Sequence, residues 1–112
     1  MADNQVDRLA IVVAYKDQSQ ALLDALNRHQ FPVTEVNAMG GFLHEGMVTF
    51  ISGMSQQRLP AFFSLVREYC PVRTRFVRVG VELPDYHDSE MVEVRVGGAT
   101  VFVVPVDRFE QV

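Results

Sequence analysis

A glycine-rich stretch between residues 40 and 46 is the chain's clearest candidate for anion-binding chemistry. Gly40, Gly41 and Gly46 stand in a G-G-x-x-x-x-G pattern. Glycine lets backbone N–H groups approach a phosphate closely, and a turn of such groups forms an anion nest. Taken alone, the same pattern is explained by default as a glycine-rich β-turn without any ligand. The motif therefore predicts a turn and leaves the presence of a ligand open.

Arginine supplies nearly all of the positive charge, because only one of the ten basic residues is lysine. Arg73 and Arg75 stand two apart in a predicted strand, with Arg78 and Arg95 nearby. Residues two apart on a strand share a face, so this pair can receive phosphate groups through bidentate hydrogen bonds. The alternative is a solvated or intersubunit face whose arginines pair with Glu93 and a neighbouring acidic loop.

Side chains suited to catalysis or metal binding lack a recognisable spacing. His29, His44 and His87 show no two-ligand metal pattern, so we expect them to be solvent-exposed. No nucleophile elbow, P-loop or HExxH motif occurs. A small enzyme that uses His44, Glu45 and Arg75 at a subunit interface stays open only by analogy of fold. We therefore expect no catalysis, no cofactor and no metal.

Length and composition fit one packed domain spanning residues 1–112. The chain is 48% hydrophobic, which is enough for a core, and its formal net charge is -4. That charge argues against a basic surface for DNA or RNA. The polar N-terminus does not look like a signal peptide, and no apolar run approaches the ~18 residues of a membrane span. With Cys70 as its only cysteine, the chain is expected in the reducing cytoplasm.

The elements that position these residues begin with a strand, a helix and two more strands. Apolar residues fill both sides of Arg8–Tyr15, which predicts a central strand covered on both faces. Asp17 and Gln20 resemble a capping box and predict the start of a helix. Residues 31–38 are expected to be extended, and Met47–Met54 is the next strand.

From Met47–Met54 onward the chain repeats the order strand, helix, strand. Ser55 is the expected cap of a second helix, with a tight first turn or a kink at Pro60. The apolar stripe of that helix ends at Cys70, which we expect to be buried. In the strand at residues 72–81 the alternation changes phase after Phe76, which predicts a β-bulge.

Paired glycines mark the last turn. Gly97 and Gly98 separate alternating strands at residues 92–96 and 99–104, which is a strong signal for a two-residue hairpin. An acidic loop over residues 82–90 precedes them. The pattern predicts an α+β fold, a ferredoxin-like βαββαβ arrangement with an appended C-terminal β-hairpin and helices on one sheet face.

Two segments resemble a known family. The first is GGFLHEGMVTF at residues 40–50, which follows Phe31 and Thr34. The second is VEVRVGGATVFVVPVDRFEQV at residues 92–112, and its part ATVFVVPVD is the most specific match. Together with the order of elements, from about residue 8 to the end, the chain resembles the PII-like cyclic di-AMP receptor family.

The resemblance implies a homotrimer, ligand sites between neighbouring subunits, and signalling without catalysis. The ligand would be cyclic di-AMP or another adenine nucleotide, whose binding orders residues 38–47 and 81–90 and so changes the surface shown to a protein partner. The resemblance implies that Phe42 stacks on a purine and that Gln111 forms hydrogen bonds with the edge of an adenine. The implied ligand-binding residues are Thr34, Gly40, Gly41, Phe42, Leu43, Gly46, Phe102 and Gln111.

Two positions depart from the family pattern. Pro32 stands where members commonly carry arginine, and Met47 stands where they carry asparagine. Each change removes polar groups that would contact a ligand. The arginine pair described above is a hypothetical replacement for the missing cation. These departures also favour an alternative function, in which the same PII-like trimer is an interaction or scaffold protein that has lost cyclic di-AMP binding.

Overall fold

The computed structural model describes residues 5–36, 46–79 and 90–112. Within these ranges the chain forms a mixed α+β fold of two antiparallel sheets and two α-helices. A short 3-10 turn at Gln56–Arg58 precedes the second helix. The elements in chain order are β1 (Arg8–Tyr15), α1 (Lys16–Arg28), β2 (Thr34–Val36), β3 (Met47–Met54), α2 (Leu59–Tyr69), β4 (Val72–Val79), β5 (Glu90–Gly97) and β6 (Ala99–Pro105).

The main sheet has the strand order β2-β3-β1-β6. The strand β1 pairs antiparallel with β3 on one side and with β6 on the other. This order is compatible with a ferredoxin-like fold in which β6 takes the place of the fourth strand. The predicted bounds of β1 (Arg8–Tyr15) and β3 (Met47–Met54) are confirmed.

The predicted C-terminal hairpin is wrong. The strand β5 pairs with β4 in a separate two-stranded sheet, here called the ribbon, whereas β6 pairs with β1. Gly97 and Gly98, with φ of 84° and 79°, carry the chain from one sheet to the other. Consecutive glycines with positive φ suit a tight hairpin. Here the Gly98 N–H instead donates to the carbonyl of Pro71 at 3.2 Å, which directs β6 to the free edge of β1.

The predicted bulge in β4 is also wrong. The register between β4 and β5 is one-to-one, from Val72 opposite Gly97 to Val79 opposite Glu90. The alternation of apolar and polar residues changes phase in the sequence because apolar side chains lie exposed on this ribbon. Phe76 is 62% exposed and Val72 is 60% exposed.

The core lies between one face of the main sheet and the two helices. From β1 it receives alternate residues, while Leu9, Ile11 and Val13 on the other face are only half-buried. The expectation that β1 is covered on both faces therefore fails within the single chain, because both helices lie on the same side of the sheet. Cys70 is buried, as predicted. The core comprises Ala10, Val12, Ala14, Leu22, Ala25, Leu26, Phe31, Phe50, Met54, Phe62, Leu65, Val66 and Cys70.

Neither helix has the cap that the sequence predicts. Tyr15 is the N-cap residue of α1 and makes no capping side-chain hydrogen bond, while the amide of Gln20 donates to Asp24 at 3.0 Å. Ser55 precedes the 3-10 turn and likewise makes no side-chain cap. The tight first turn at Pro60 is confirmed. Proline is tolerated there because the first-turn N–H groups have no partner within the helix.

Candidate functional site

A cleft of about 400 Å³ lies where the start of β2 and the C-terminal segment meet the open face of the main sheet. Its lining is uncharged, so it is called the neutral cleft here. Thr34 and Gln111 supply the polar side chains. The residues that line it are Val6, Leu9, Pro32, Thr34, Ile51, Gly53, Val106, Phe109 and Gln111.

Backbone hydrogen bonds hold the C-terminal segment against this cleft. The N–H of Val106 donates to the Asp7 carbonyl at 3.0 Å, and the N–H of Asp7 donates to the Met54 carbonyl at 3.1 Å. The Asp7 carboxylate accepts from the N–H of Gln56 at 2.8 Å. The residues after β6 are therefore tied to both the start of β1 and the end of β3.

The neutral cleft combines apolar walls with two groups that can both donate and accept. Leu9 and Ile51 are half-buried, and Phe109 is 51% exposed. Gly53 lets the strand and Val6 lie close together, because a Cβ at position 53 would lie 3.0 Å from a methyl of Val6. Such a surface suits a flat, uncharged heterocycle better than a phosphate.

Of the predicted ligand-binding residues, Thr34 and Gln111 are brought together and Phe102 is not. Cross-strand pairing places Thr34 opposite Ile51, Ile51 opposite Ile11, and Ile11 opposite Phe102. Three strand spacings separate the ends of this row, which is about 14 Å. Phe102 therefore lies on the far edge of the sheet, where it is 55% exposed.

Gly46 lies in a different cleft, at the opposite end of β3 from the neutral cleft. Its φ is 88°, and its carbonyl accepts from the N–H of Lys16 at 2.7 Å. The other members of the glycine-rich segment, and the two remaining histidines with the acidic loop, lie outside the described residues. These are Gly40, Gly41, Phe42, Leu43, His44, Glu45, His87 and residues 82–89.

The second cleft, called the arginine cleft, measures about 510 Å³ and separates the N-terminus of α1 from the ribbon. It brings together the predicted arginine pair, which the strand register places on one face of β4. The residues that line it are Tyr15, Lys16, Asp17, Gly46, Arg73, Arg75, Val96 and Gly97.

One carbonyl fixes the base of the ribbon on α1. The amide nitrogen of Gln18 donates to the Pro71 carbonyl at 3.0 Å, and the N–H of Gly98 donates to the same oxygen at 3.2 Å. Gln18 is 7% exposed, so the first of these bonds is shielded from water. The entry to β4 and the exit from β5 are therefore held together beside the first turn of the helix.

Within the described residues, the expected pairing of the arginines with Glu93 is wrong, while the acidic loop lies outside those residues. Arg73 forms an ion pair with Asp17 at 3.1 Å rather than with Glu93. Glu93 stands opposite Phe76, which places Glu93 on the other face of the ribbon. Arg95 stands opposite Thr74 and lies on that other face as well. Alternation along β4 therefore separates the arginine pair from the acid that the sequence had offered as its partner.

Cys70 has the environment of a structural residue. It is 4% exposed, and burial, followed by the negative charge of Asp17, raises the pKa of its thiol. A raised pKa leaves little thiolate for nucleophilic chemistry near neutral pH.

Two further features of the part of the chain that the structure describes concern metal ligands and helix length. No group of three His, Cys, Asp or Glu side chains gathers there to hold a metal ion. His29, the predicted solvent-exposed histidine that is described, is exposed and ends α1. Neither described helix, of 13 and 11 residues, is long and apolar enough to cross a membrane.

Sequence reasoning did not predict several residues of the neutral cleft. Phe109 stands two residues before Gln111, a spacing that favours the same side of an extended chain, and this signal was available. Leu9 and Gly53 carry no such signal, because their places in the cleft depend on the pairing of distant strands.

Two comparisons with known proteins concern the fold and the family of the chain. The crystal structure of a functionally unknown protein from Pediococcus pentosaceus ATCC 25745 is similar, with 29% sequence identity and a TM-score of 0.70. The match covers 96% of this chain and 98% of that chain. A family model described as the cyclic-di-AMP receptor matches residues 7–112, a span that includes both segments of the resemblance. The chain belongs to the cyclic-di-AMP receptor family.

Proposed function

We propose that this protein is a PII-like signalling receptor that binds cyclic di-AMP, or a related adenine nucleotide, between the subunits of a homotrimer. Ligand binding then changes the surface that it presents to a protein partner. The role needs no catalysis by the protein. The observation that carries the proposal is the meeting of Thr34 and Gln111 in one apolar cleft, in a chain of this receptor family.

The chemistry of the neutral cleft supports an adenine base as its occupant. The Gln111 amide offers a donor and an acceptor to the edge of the base, and the Thr34 hydroxyl can do either. Phe109 is exposed within the cleft and offers a face for stacking, which is worth roughly 1–3 kcal/mol for nucleic-acid bases. Leu9 and Ile51 complete an apolar floor.

Two features support a site shared between subunits. Phe102 lies about 14 Å across the sheet from Thr34, so a neighbouring subunit's Phe102 is better placed to complete the cleft. The open face of β1, with Leu9, Ile11 and Val13, is half-buried and apolar. A ring of three copies would cover this face and bring different edges of the sheet together.

Pro32 lines the neutral cleft, so the position where relatives commonly carry arginine lies at the proposed site. We expect Pro32→Arg to tighten cyclic di-AMP binding about tenfold, since it restores a cation near the ligand. Met47 stands opposite Tyr15 at the other end of β3 and does not line this cleft. The departure at Met47 therefore bears less on the neutral cleft than the departure at Pro32.

Calorimetric titration with cyclic di-AMP tests the proposal directly. We expect Thr34→Val and Gln111→Ala each to weaken binding about tenfold, because each removes a hydrogen bond to the base. Ser64→Ala is the matched control, since Ser64 is exposed on α2 and its hydroxyl donates to the carbonyl of Pro60, away from the cleft. Absence of binding to the wild type at about 100 μM would refute the receptor function.

The assembly has its own test. Light-scattering mass should correspond to a trimer, and Ile11→Glu should give single subunits, because it places a charge on the face that the other copies cover. A wild-type mass of one subunit at every concentration would contradict the shared site.

The uncharged lining of the neutral cleft also favours the alternative function, a ligand-independent trimeric interaction or scaffold protein. In that case a protein partner is recovered equally well from lysate with and without nucleotides. Recovery that depends on cyclic di-AMP would instead support the receptor.

A further inference from the structure

We propose that the arginine cleft is a second ligand site, which binds the terminal phosphate of a small soluble phosphorylated compound. This inference does not rest on cyclic di-AMP binding at the neutral cleft. The two clefts have different linings, one uncharged and one cationic.

The geometry of β4 supports binding of a phosphoryl group. Arg73 and Arg75 are two residues apart on one face of the strand, a separation of about 6.6 Å along the backbone. Both border the same cleft of about 510 Å³. Two guanidinium forks at this spacing can hold different oxygens of one phosphate or of adjacent phosphates.

The arginine cleft is positively charged, whereas the chain as a whole has a negative net charge. Lys16, Arg73 and Arg75 supply three of the chain's ten basic residues, and Asp17 is the one acid among the lining residues. The formal net charge of the chain is -4. Clustering of cations in a chain with excess acid creates a local field that attracts an anion.

Asp17 reduces the positive charge of the arginine cleft but does not block the site. Its ion pair with Arg73 spans 3.1 Å, but the two side chains are 68% and 54% exposed. Exposed pairs of this kind contribute little stability. A terminal phosphate carries a charge of about -1.5 to -2, so it can displace the single carboxylate from Arg73.

The base of the cleft is already in place. Gln18 and Gly98 both donate to the Pro71 carbonyl, which holds the ribbon against α1. The Gln18 side-chain oxygen is buried and accepts no hydrogen bond from the described residues. It lies behind Gly97, which lines the cleft.

Titration with inorganic pyrophosphate, followed by calorimetry or by ³¹P NMR, tests the site with a probe that contains no adenine. We expect saturable binding to the wild type. Arg73→Ala and Arg75→Ala should each weaken it at least about tenfold, because each removes a charge-assisted pair of hydrogen bonds. Arg75→Lys should give an intermediate loss, since it keeps the charge and removes the fork.

Two further variants make the test specific. Arg95→Ala is the matched control, since Arg95 stands on the other face of the ribbon, and binding should stay within about twofold. Asp17→Asn should tighten binding several-fold, because it removes the competing carboxylate.

Three results would overturn the inference. They are no saturation by about 10 mM pyrophosphate, an equal loss in Arg95→Ala and Arg73→Ala, and weaker binding in Asp17→Asn. Sedimentation with vesicles that contain phosphatidic acid separates the sources of the phosphate. Vesicle binding without pyrophosphate binding would assign the cleft to a lipid headgroup and contradict a soluble ligand.

Discussion

Replacement of Gly97 by alanine tests how the ribbon is joined to the rest of the molecule. Gly97 has a φ of 84°, and a Cβ built there would lie 2.5 Å from the Pro71 carbonyl oxygen and 2.9 Å from the Gln18 amide nitrogen. The backbone would have to move, since contacts this short do not occur. Movement would strain both hydrogen bonds to the Pro71 carbonyl.

The expected cost can be worked from these contacts. A left-handed alanine costs about 1–2 kcal/mol, and two weakened hydrogen bonds cost about 1 kcal/mol each. The unfolded chain loses conformational freedom when glycine becomes alanine, and this stabilises the folded protein by about 0.5–1 kcal/mol. We therefore expect Gly97→Ala to lower the free energy of unfolding by about 3 kcal/mol.

Gly46 provides the matched control. Its φ of 88° is nearly the same, but a Cβ there would meet no atom of residues 5–36, 46–79 or 90–112 within 4 Å. Gly46→Ala should therefore cost only about 1 kcal/mol, which is the backbone strain alone. Urea denaturation of both variants at one protein concentration measures the difference. Equal losses in the two variants would refute the role assigned to the Pro71 carbonyl.

Further predictions concern the end of α1 and the buried thiol. Arg58→Ala should lower the free energy of unfolding by about 2 kcal/mol, because Arg58 donates to the carbonyls of His29 and Gln30 and lies 3.8 Å from the centre of the Phe31 ring. Arg67→Ala, which removes an exposed cation 5.7 Å from an aromatic ring, should cost less than about 0.5 kcal/mol by the same thermal or urea assay. Because burial raises the pKa of Cys70 above that of an exposed thiol, its contribution to stability is present below the pKa of an exposed thiol and is lost as the pH rises past it. In the alkaline range, wild-type stability should therefore fall more steeply with pH than that of Cys70→Ala, and parallel pH profiles would contradict this.

Local patterns in the sequence predicted the individual elements well. The apolar run of Arg8–Tyr15 and the segment Met47–Met54 were both predicted as strands, with the bounds that the structure has. The ring of Pro60 required a tight first turn, and α2 is preceded by one. These features follow from side-chain periodicity and backbone sterics, which act over a few residues.

The pairing of strands required the tertiary structure. Gly97 and Gly98 have the conformational freedom of a hairpin turn, yet β6 leaves β5 and joins β1. The difference comes from the Pro71 carbonyl, which is distant in sequence and accepts the Gly98 N–H. A two-residue turn motif contains no information about such a partner.

The two candidate sites show the same difference between local sequence and tertiary structure. The sequence by itself determined that Arg73 and Arg75 share a face, since alternation in a strand is a local property. Only the folded chain decided that they face Lys16 and Asp17 across a cleft, and that Thr34 meets Gln111 while Phe102 lies on the far edge. Side-chain direction depends on neighbouring residues, whereas the surface that a side chain faces depends on long-range packing of the sheet and helices.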